Sequence, residues 1–488
     1  MTLNLAATII YQIVYAISGL VLPKMMLNTF GSNINGLVTS LSSYLSFFAL
    51  MESGLGSIMS ASLYKPLFDK DTSKINSILK TGFKFYKKIA ILNLLYAVLL
   101  GFIYPYITNV SYDTYYILLL TIIMSLSSFF NYYFSVPYKY LLYADKKNYI
   151  LMFSQIVVAI LNIIFTYVSI KIYPQIHFIK FINLIVYLIN PLIAFIYAKE
   201  NYRFDFNVDE DKELLKQRWD GFSHNLTIYI TNNVDYVLLS LFSTLSNISI
   251  YSIYSAIINS IKNVSMSISE TVSPYLGSSF AKETNTNQNK VFDNNLMLIS
   301  IISILLFSCT LFLIDDFMRI YTANINDANY NQSLFGYLLI GSAIVDSLKE
   351  PYMQVTVILG DFKRTKYFGY VECTVNIILS TLLIRDYGLC GIAAGTLISK
   401  IARLFLQLLY LKINNHINSI FIELRKVLLS IAMILALVLL DNIVLSTFVV
   451  DSYITWILKA FLTLCANAII IYVVTKMYRN KKEESYEQ

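Results

Sequence analysis

The feature that most constrains this chain is a series of about fourteen apolar runs, each long enough to cross a bilayer as a helix. Helices are the expected spanning elements, because strand-period alternation over ten residues dominates nowhere. The composition agrees, since 57% of the 488 residues are hydrophobic and 14% are charged, whereas a soluble domain carries about 25% charged residues. The sequence therefore predicts an all-α integral membrane protein with about 14 transmembrane helices.

Basic residues are concentrated in alternate loops between the apolar runs. The stretches "YKPLFDKDTSKINSILKTGFKFYKK" (64–88) and "GDFKRTKY" (360–367) belong to this set, and positively charged loops stay in the cytoplasm. We therefore expect both termini to be cytoplasmic. The same distribution explains the net charge of +7 and does not indicate nucleic-acid binding. Few cations fall on the outer side: Lys24, Lys171, Lys180, Arg319 and Arg385.

A weak internal repeat divides the chain. The segment "LNIIFTYVSIKIYP" around Asn162 is similar to "VNIILSTLLIRDYG" around Asn376, and "ALMESGLGS" around Glu52 is similar to "MSISETVSP" around Glu270. Each copy contains six helices, which is an even number. Both copies therefore begin on the same side of the membrane, and the repeats are parallel. The predicted organisation is two parallel six-helix lobes around a central cavity (1–198 and 222–412), a cytoplasmic amphipathic linker (199–221), and two additional transmembrane helices with a cytoplasmic tail (413–488).

Polar residues follow one side of the first, second, seventh and eighth helices. On a helical wheel the polar positions of each of these helices fall within one arc. A polar stripe that faced lipid would leave its groups unsatisfied, so the stripes predict a hydrated cavity. Tight helix packing through small polar residues is the alternative. The candidate substrate-binding residues are Gln12, Tyr15, Ser42, Ser46, Asn225, Asn232, Asp235, Asn259, Lys262 and Asn263.

Lys262 is a charge near the middle of the eighth helix, where a lone ammonium costs several kcal/mol. Asp235 on the seventh helix is its predicted partner, because both residues lie at a similar distance from the turn near Asn247. Glu52 and Glu270 lie nearer the cytoplasmic ends of their helices. We interpret these two glutamates as gate or packing residues.

Other charges within the apolar runs have simpler interpretations. Lys400 and Arg403 lie toward the cytoplasmic end of the twelfth helix, where long side chains snorkel to the interface. Glycine and serine at four-residue spacing in the same helix predict a close helix contact, at Gly391, Gly395 and Ser399. Three charges before Pro351 predict a self-paired group in a broken or kinked helix: Asp346, Lys349 and Glu350.

Motifs for catalysis and for cofactors are absent from the sequence. No P-loop and no H-E-x-x-H motif occurs, the four cysteines are isolated, and the three histidines are far apart. We therefore expect no enzymatic activity, no cofactor and no metal site.

The chain resembles the multidrug/oligosaccharidyl-lipid/polysaccharide exporter superfamily. The resemblance lies in twelve to fourteen helices, two parallel lobes and four polar helices, and it covers nearly the whole chain. The segments "ESGLGSIMSASLYKPLFDKD", "LLYADKKNYI" and "YGLCGIAAGTLISKIARLFLQLLYL" are similar to the O-antigen and capsule repeat-unit flippases of the Wzx type within that superfamily.

This resemblance implies alternating access of a cavity between the first, second, seventh and eighth helices. The implied substrate is an oligosaccharide repeat unit linked through pyrophosphate to undecaprenol, moved across the bacterial cytoplasmic (inner) membrane for O-antigen, lipopolysaccharide or capsule biosynthesis. Lys262 would correspond to an arginine that holds pyrophosphate in related lipid II flippases, although the first helix here has no cation within the membrane. The implied partners are membrane lipids, other polysaccharide assembly proteins and a coupling ion, H⁺ or Na⁺.

Three alternatives remain open. A drug cation antiporter of the same superfamily would have the same fold, but the first helix offers no acid as an ion site. A membrane glycosyltransferase or polymerase usually has a large external loop, and the predicted external loops are all short. A non-transporting membrane receptor is the third alternative, and the polar stripes do not support it.

Overall fold

The computed structural model describes residues 2–108, 110–211, 213–214, 218–282, 285–359, 361–414 and 416–487. Regular structure in these ranges is entirely helical. The helices are α1 (Thr2–Leu45), α2 (Phe47–Asp69), α3 (Thr72–Thr108), α4 (Thr114–Phe134), α5 (Val136–Ala144), α6 (Asn148–Ile172), α7 (Ile176–Tyr187), α8 (Ile189–Asn201), α9 (Arg218–Phe242), α10 (Leu245–Lys282), α11 (Asn285–Tyr321), α12 (Ser333–Ile358), α13 (Phe362–Ile413), α14 (Ile420–Leu445) and α15 (Tyr453–Glu487).

Nine helical segments among the described residues are long and apolar enough to cross a membrane. Two of them, Ala7–Asp69 and Arg364–Ile413, have 63 and 50 residues, which is far more than the roughly 20 residues that one span needs. The predicted all-α, multi-pass membrane protein is therefore confirmed. The number of fourteen spans stays a prediction.

A glycine with positive φ interrupts each of the two longest helices. Gly31 has φ 76° within α1, and Gly388 has φ 53° within α13. Side chains rarely adopt this left-handed region, so glycine suits both breaks. The two segments of α13 fold back on each other, because Ser380 donates a hydrogen bond to the Ile392 carbonyl at 3.4 Å.

This hairpin confirms the predicted close helix contact in α13. A methyl group on Gly391 would overlap the Leu383 carbonyl oxygen, and one on Gly395 would overlap the Ser380 side chain. Small residues therefore let the two segments of α13 approach closely.

The chain forms two compact units, residues 1–253 and 254–488. In the first unit, polar pairs fasten the second segment of α1 to the start of α10. The hydroxyl oxygens of Ser32 and Ser246 lie 2.8 Å apart, and the Asn35 side-chain amide donates a hydrogen bond to the Ser249 hydroxyl at 2.8 Å. Such bonds matter in a membrane, because the hydrophobic effect does not drive helices together within lipid.

The predicted lobe boundaries, 1–198 and 222–412, remain predictions.

After α8 ends at Asn201, the predicted linker continues as a loop that is anchored to α3. Lys74 pairs with Asp211 at 3.0 Å, and Ser77 donates to the Asp209 carbonyl at 2.6 Å. Lys84 donates to Glu210 at 2.7 Å and lowers the pKa of that carboxyl below its ordinary value. Residues 215–217 lie outside the described part, so the amphipathic helix of this linker stays a prediction.

We expect Gly36→Ala to destabilise the first unit. The new methyl group would overlap the Leu245 carbonyl oxygen, and overpacking of this kind costs about 1–3 kcal/mol. Gly19→Ala is the matched control in the same helix, because no atom lies within 4 Å of its new methyl group. Thermal unfolding of the purified protein in detergent should show a lower Tm for Gly36→Ala only. An equal Tm for both variants would show that the close approach is unimportant.

Candidate functional site

A cluster of six charged side chains lies within the second unit, on three helices that the sequence separates widely. Charges inside a membrane helix are expensive, and they are usually paired and functional. The members of this charged cluster are Lys262 on α10, Asp346 and Lys349 on α12, and Glu372, Lys400 and Arg403 on α13.

Asp346 is the centre of the charged cluster. Its carboxylate accepts hydrogen bonds from Lys349 at 2.8 Å and from Lys400 at 2.6 Å. The ammonium of Lys262 lies farther away, at 3.6 Å. Three ammonium groups therefore share one carboxylate, and Lys262 has the longest of the three ion pairs.

Glu372 is the second carboxylate of the charged cluster. Arg403 donates to one of its oxygens, and the Lys349 ammonium lies 3.8 Å from the other. The six members thus comprise four cations and two carboxylates. Glu350 lies within electrostatic range of this group and of Glu270, but no ion pair within 4.0 Å joins either glutamate to a described cation.

The predicted partner of Lys262 was wrong. Lys262 pairs with Asp346, whereas Asp235 accepts a hydrogen bond from the Tyr251 hydroxyl at 2.7 Å. The prediction compared only the depths of the two residues along neighbouring helices. It had no information on α12, which is distant in sequence and provides the carboxylate.

Two of the simpler interpretations also need correction. Lys400 and Arg403 do not snorkel, because their charged ends pair with Asp346 and Glu372 inside the unit. The predicted pair of Asp346 with Lys349 is confirmed at 2.8 Å. The helix is not broken there, since α12 continues through Pro351, and the alternative of a kink at this proline stays a prediction.

A cavity of about 420 Å³ lies inside the first unit, among α1, α2, α4, α6 and α7. Two of the predicted binding residues, Ser42 and Ser46, line it. Lys180 also lines it and was assigned to the outer loops by the sequence. The signal that could have identified Lys180 is its position inside the apolar segment "IHFIKFINLIVY", five residues into α7.

Five of the other candidate binding residues are exposed, whereas Asp235 is buried. Within membrane helices, exposed polar groups are expected to face water and not lipid, and the hydrated cavity stays a prediction. The side chain of Asn225 lies outside the described part. The exposed members are Gln12, Tyr15, Asn232, Asn259 and Asn263.

The two predicted gate residues have different surroundings. Glu270 is exposed. The Glu52 carboxylate interacts electrostatically with Tyr132 and Lys139, and its backbone carbonyl accepts a hydrogen bond from the Tyr86 hydroxyl at 2.9 Å. These contacts favour a packing role for Glu52. Among the described residues, no group of three or more potential ligands could hold a metal ion.

Solved structures with the same fold are membrane transporters. The lipid II flippase MurJ, in an inward closed conformation, has a TM-score of 0.74 and 17% identity, over 97% of this chain and 100% of that chain. A multidrug resistance MATE family transporter of the MOP superfamily, in an inward-facing conformation, has a TM-score of 0.69 and 9% identity, over 83% and 94%.

A eukaryotic MATE transporter, AtDTX14, has a TM-score of 0.60 and 13% identity, over 88% of this chain and 98% of that chain. No protein-family model and no curated protein matches the sequence. At these identities the likeness establishes the fold, which is that of the MOP superfamily transporters.

Proposed function

We propose that this multi-pass membrane protein, which shares its fold with MurJ and the MATE transporters, is a flippase for lipid-linked oligosaccharides. Its substrate would be an undecaprenyl-pyrophosphate-linked repeat unit of O-antigen, capsule or lipopolysaccharide. Translocation runs from the cytoplasmic to the outer leaflet of the bacterial inner membrane, with both termini in the cytoplasm. The observation that carries this proposal is the charged cluster around Lys262.

The charged cluster supports an anionic substrate because of its local excess of cations. Asp346 is already neutralised by Lys349 and Lys400 at hydrogen-bond distance, so Lys262 at 3.6 Å is the cation held most weakly. A pyrophosphate can bind this ammonium without leaving Asp346 unpaired. A hydrogen bond between charged groups contributes about 1.5–3 kcal/mol, which is weak enough to permit release.

The exposed polar residues complete the proposed site. Asn259 and Asn263 lie on the same helix as Lys262, within one turn of it, and both are exposed. Amide side chains donate and accept hydrogen bonds, as sugar hydroxyls require. We therefore assign the pyrophosphate to Lys262 and the sugars to the neighbouring amides.

The shared fold also fits a drug cation antiporter, which is the second candidate function. Such a transporter would bind cations at an accessible acid. Within the charged cluster, however, Asp346 and Glu372 are both paired with lysine or arginine, so the accessible acid of the second unit would have to lie outside the cluster, as the exposed Glu270 does. The charged cluster thus favours an anion over an organic cation.

Deletion of the gene should stop the appearance of surface polysaccharide and should cause lipid-linked repeat units to accumulate on the cytoplasmic leaflet. The reason is that the saccharide head cannot cross lipid unaided. Immunodetection of surface polymer, together with extraction of the lipid-linked pool, measures both effects. Complementation with the intact gene is the control. Normal surface polymer in a deletion strain with no second flippase would refute the proposed function.

A further inference from the structure

The cavity of the first unit is lined by polar side chains, as a sugar-binding pocket is, and by one cation, Lys180. Its volume of about 420 Å³ lies toward the small end of ligand sites, which span roughly 300–1,000 Å³. It therefore has room for a small part of an oligosaccharide. The polar residues that line it include Ser42, Ser127, Thr166, Lys180, Asn183 and Tyr187.

Lys180 has no acidic partner in the described part of the chain. No described carboxylate lies within the 4.0 Å that defines the ion pairs of this protein, although eight other lysines form such pairs. Lys139 lies by a smaller cavity of about 200 Å³, which shares Ser127, Ser128 and Tyr187 with the first. Lys139, unlike Lys180, is attracted by Glu52. Lys180 is thus the cation that an incoming anion would neutralise.

The other lining groups offer both donors and acceptors. Thr166 donates to the Asn183 side-chain oxygen at 3.1 Å, so the Asn183 amide hydrogens can point toward a ligand. Ser42 donates to the Val38 carbonyl and Ser127 to the Met124 carbonyl, which leaves their oxygen lone pairs as acceptors. A polyol has hydroxyl groups that satisfy both kinds of partner.

An aromatic ring and a single positive charge narrow the ligand class further. Tyr187 lines the cavity and is 47% exposed, so its ring can pack against the apolar face of a sugar. One unpaired ammonium matches one carboxylate better than a doubly charged phosphate. The surrounding hydroxyls and amide match the ring hydroxyls of the same sugar.

We propose that the cavity of the first unit binds a carboxylated sugar, with Lys180 holding the carboxylate. This inference rests on the proposed function only where it assigns that sugar to the exported repeat unit. The pocket and its ligand class stand on the geometry of the first unit alone.

Binding of free disaccharides to the purified full-length protein tests the ligand class. By isothermal titration in detergent, digalacturonic acid should bind about tenfold or more tightly than neutral galactobiose, as expected for a charge-assisted hydrogen bond. Lys180→Gln should abolish this preference, and Lys180→Arg should retain most of it. Lys171→Gln, which changes an exposed lysine of the same unit, is the charge-matched control and should keep the preference. A preference that survives Lys180→Gln, or equal competition by inorganic phosphate, would overturn the proposal.

Export in cells decides whether the sugar belongs to the transported molecule. Lys180→Gln should lower the export of a repeat unit that contains a uronic acid and spare a neutral one. Lys262→Gln should lower export of both. Unchanged export of the acidic unit by Lys180→Gln would overturn the assignment to the repeat unit. Unchanged export by Lys262→Gln would instead count against the proposed function and leave the sugar pocket standing.

Discussion

Replacing Asp346 with asparagine should destabilise the second unit more than any other neutralising change in the charged cluster. The substitution keeps the shape of the side chain but leaves Lys262, Lys349 and Lys400 without their shared carboxylate. Removal of one partner from a buried ion pair typically costs about 3–5 kcal/mol. We expect a marked loss of protein from the membrane and a lower Tm of the protein that remains.

Asp386→Asn is the matched control, because Asp386 lies on the same unit and is exposed. It should leave both membrane abundance and Tm unchanged.

A second variant keeps the result interpretable if Asp346→Asn does not accumulate. Asp346→Asn combined with Lys400→Met removes one of the stranded ammonium groups and should restore part of the Tm. A wild-type Tm for Asp346→Asn alone would show that the ion pairs contribute little.

Replacing Lys262 with glutamine should lower export and leave the stability of the protein nearly unchanged, in contrast to Asp346→Asn. Asp346 keeps its two shorter ion pairs, to Lys349 and Lys400, so membrane abundance and Tm should remain near wild type. Export should fall by about tenfold or more, because the variant loses a charged hydrogen bond of about 1.5–3 kcal/mol to the pyrophosphate. Lys262→Arg keeps the cation and should retain more export, measured as surface polymer at equal protein abundance.

Lys412→Gln removes a lysine that is exposed at the end of α13, and it controls for the change in net charge. Export by this control should be normal. Full export by Lys262→Gln would refute the binding role. If Lys262→Gln instead lowers abundance and Asp346→Asn restores it in the double variant, Lys262 serves mainly to neutralise Asp346.

Patterns within single helices could be predicted from the sequence. The apolar runs predicted the membrane helices, and the spacing of Gly391 and Gly395 predicted the close contact in α13. The stripe on the second helix contained Ser42 and Ser46, which line the cavity of the first unit. Each of these inferences depends on the regular geometry of one helix, which the order of residues determines.

Contacts between distant helices could not be predicted in the same way. The partner of Lys262 is 84 positions away, at Asp346, and that of Arg403 is 31 positions away, at Glu372. Position along a helix indicates depth in the membrane but not which other helix lies beside it. The surroundings of Lys180 could not be predicted for a related reason, because a cation near the start of a helix resembles a loop residue until the cavity beside it is known.

The most direct test of the central claim is flipping by the purified protein in proteoliposomes. The substrate is the lipid-linked repeat unit extracted from the deletion strain, and membrane-impermeant periodate reports which saccharides have reached the outer leaflet. Wild-type protein and Lys262→Arg should expose the inner-leaflet pool over time, whereas Lys262→Gln should leave it protected, as protein-free liposomes do. Exposure of that pool by Lys262→Gln at the wild-type rate, or protection of it by the wild-type protein, would contradict the account.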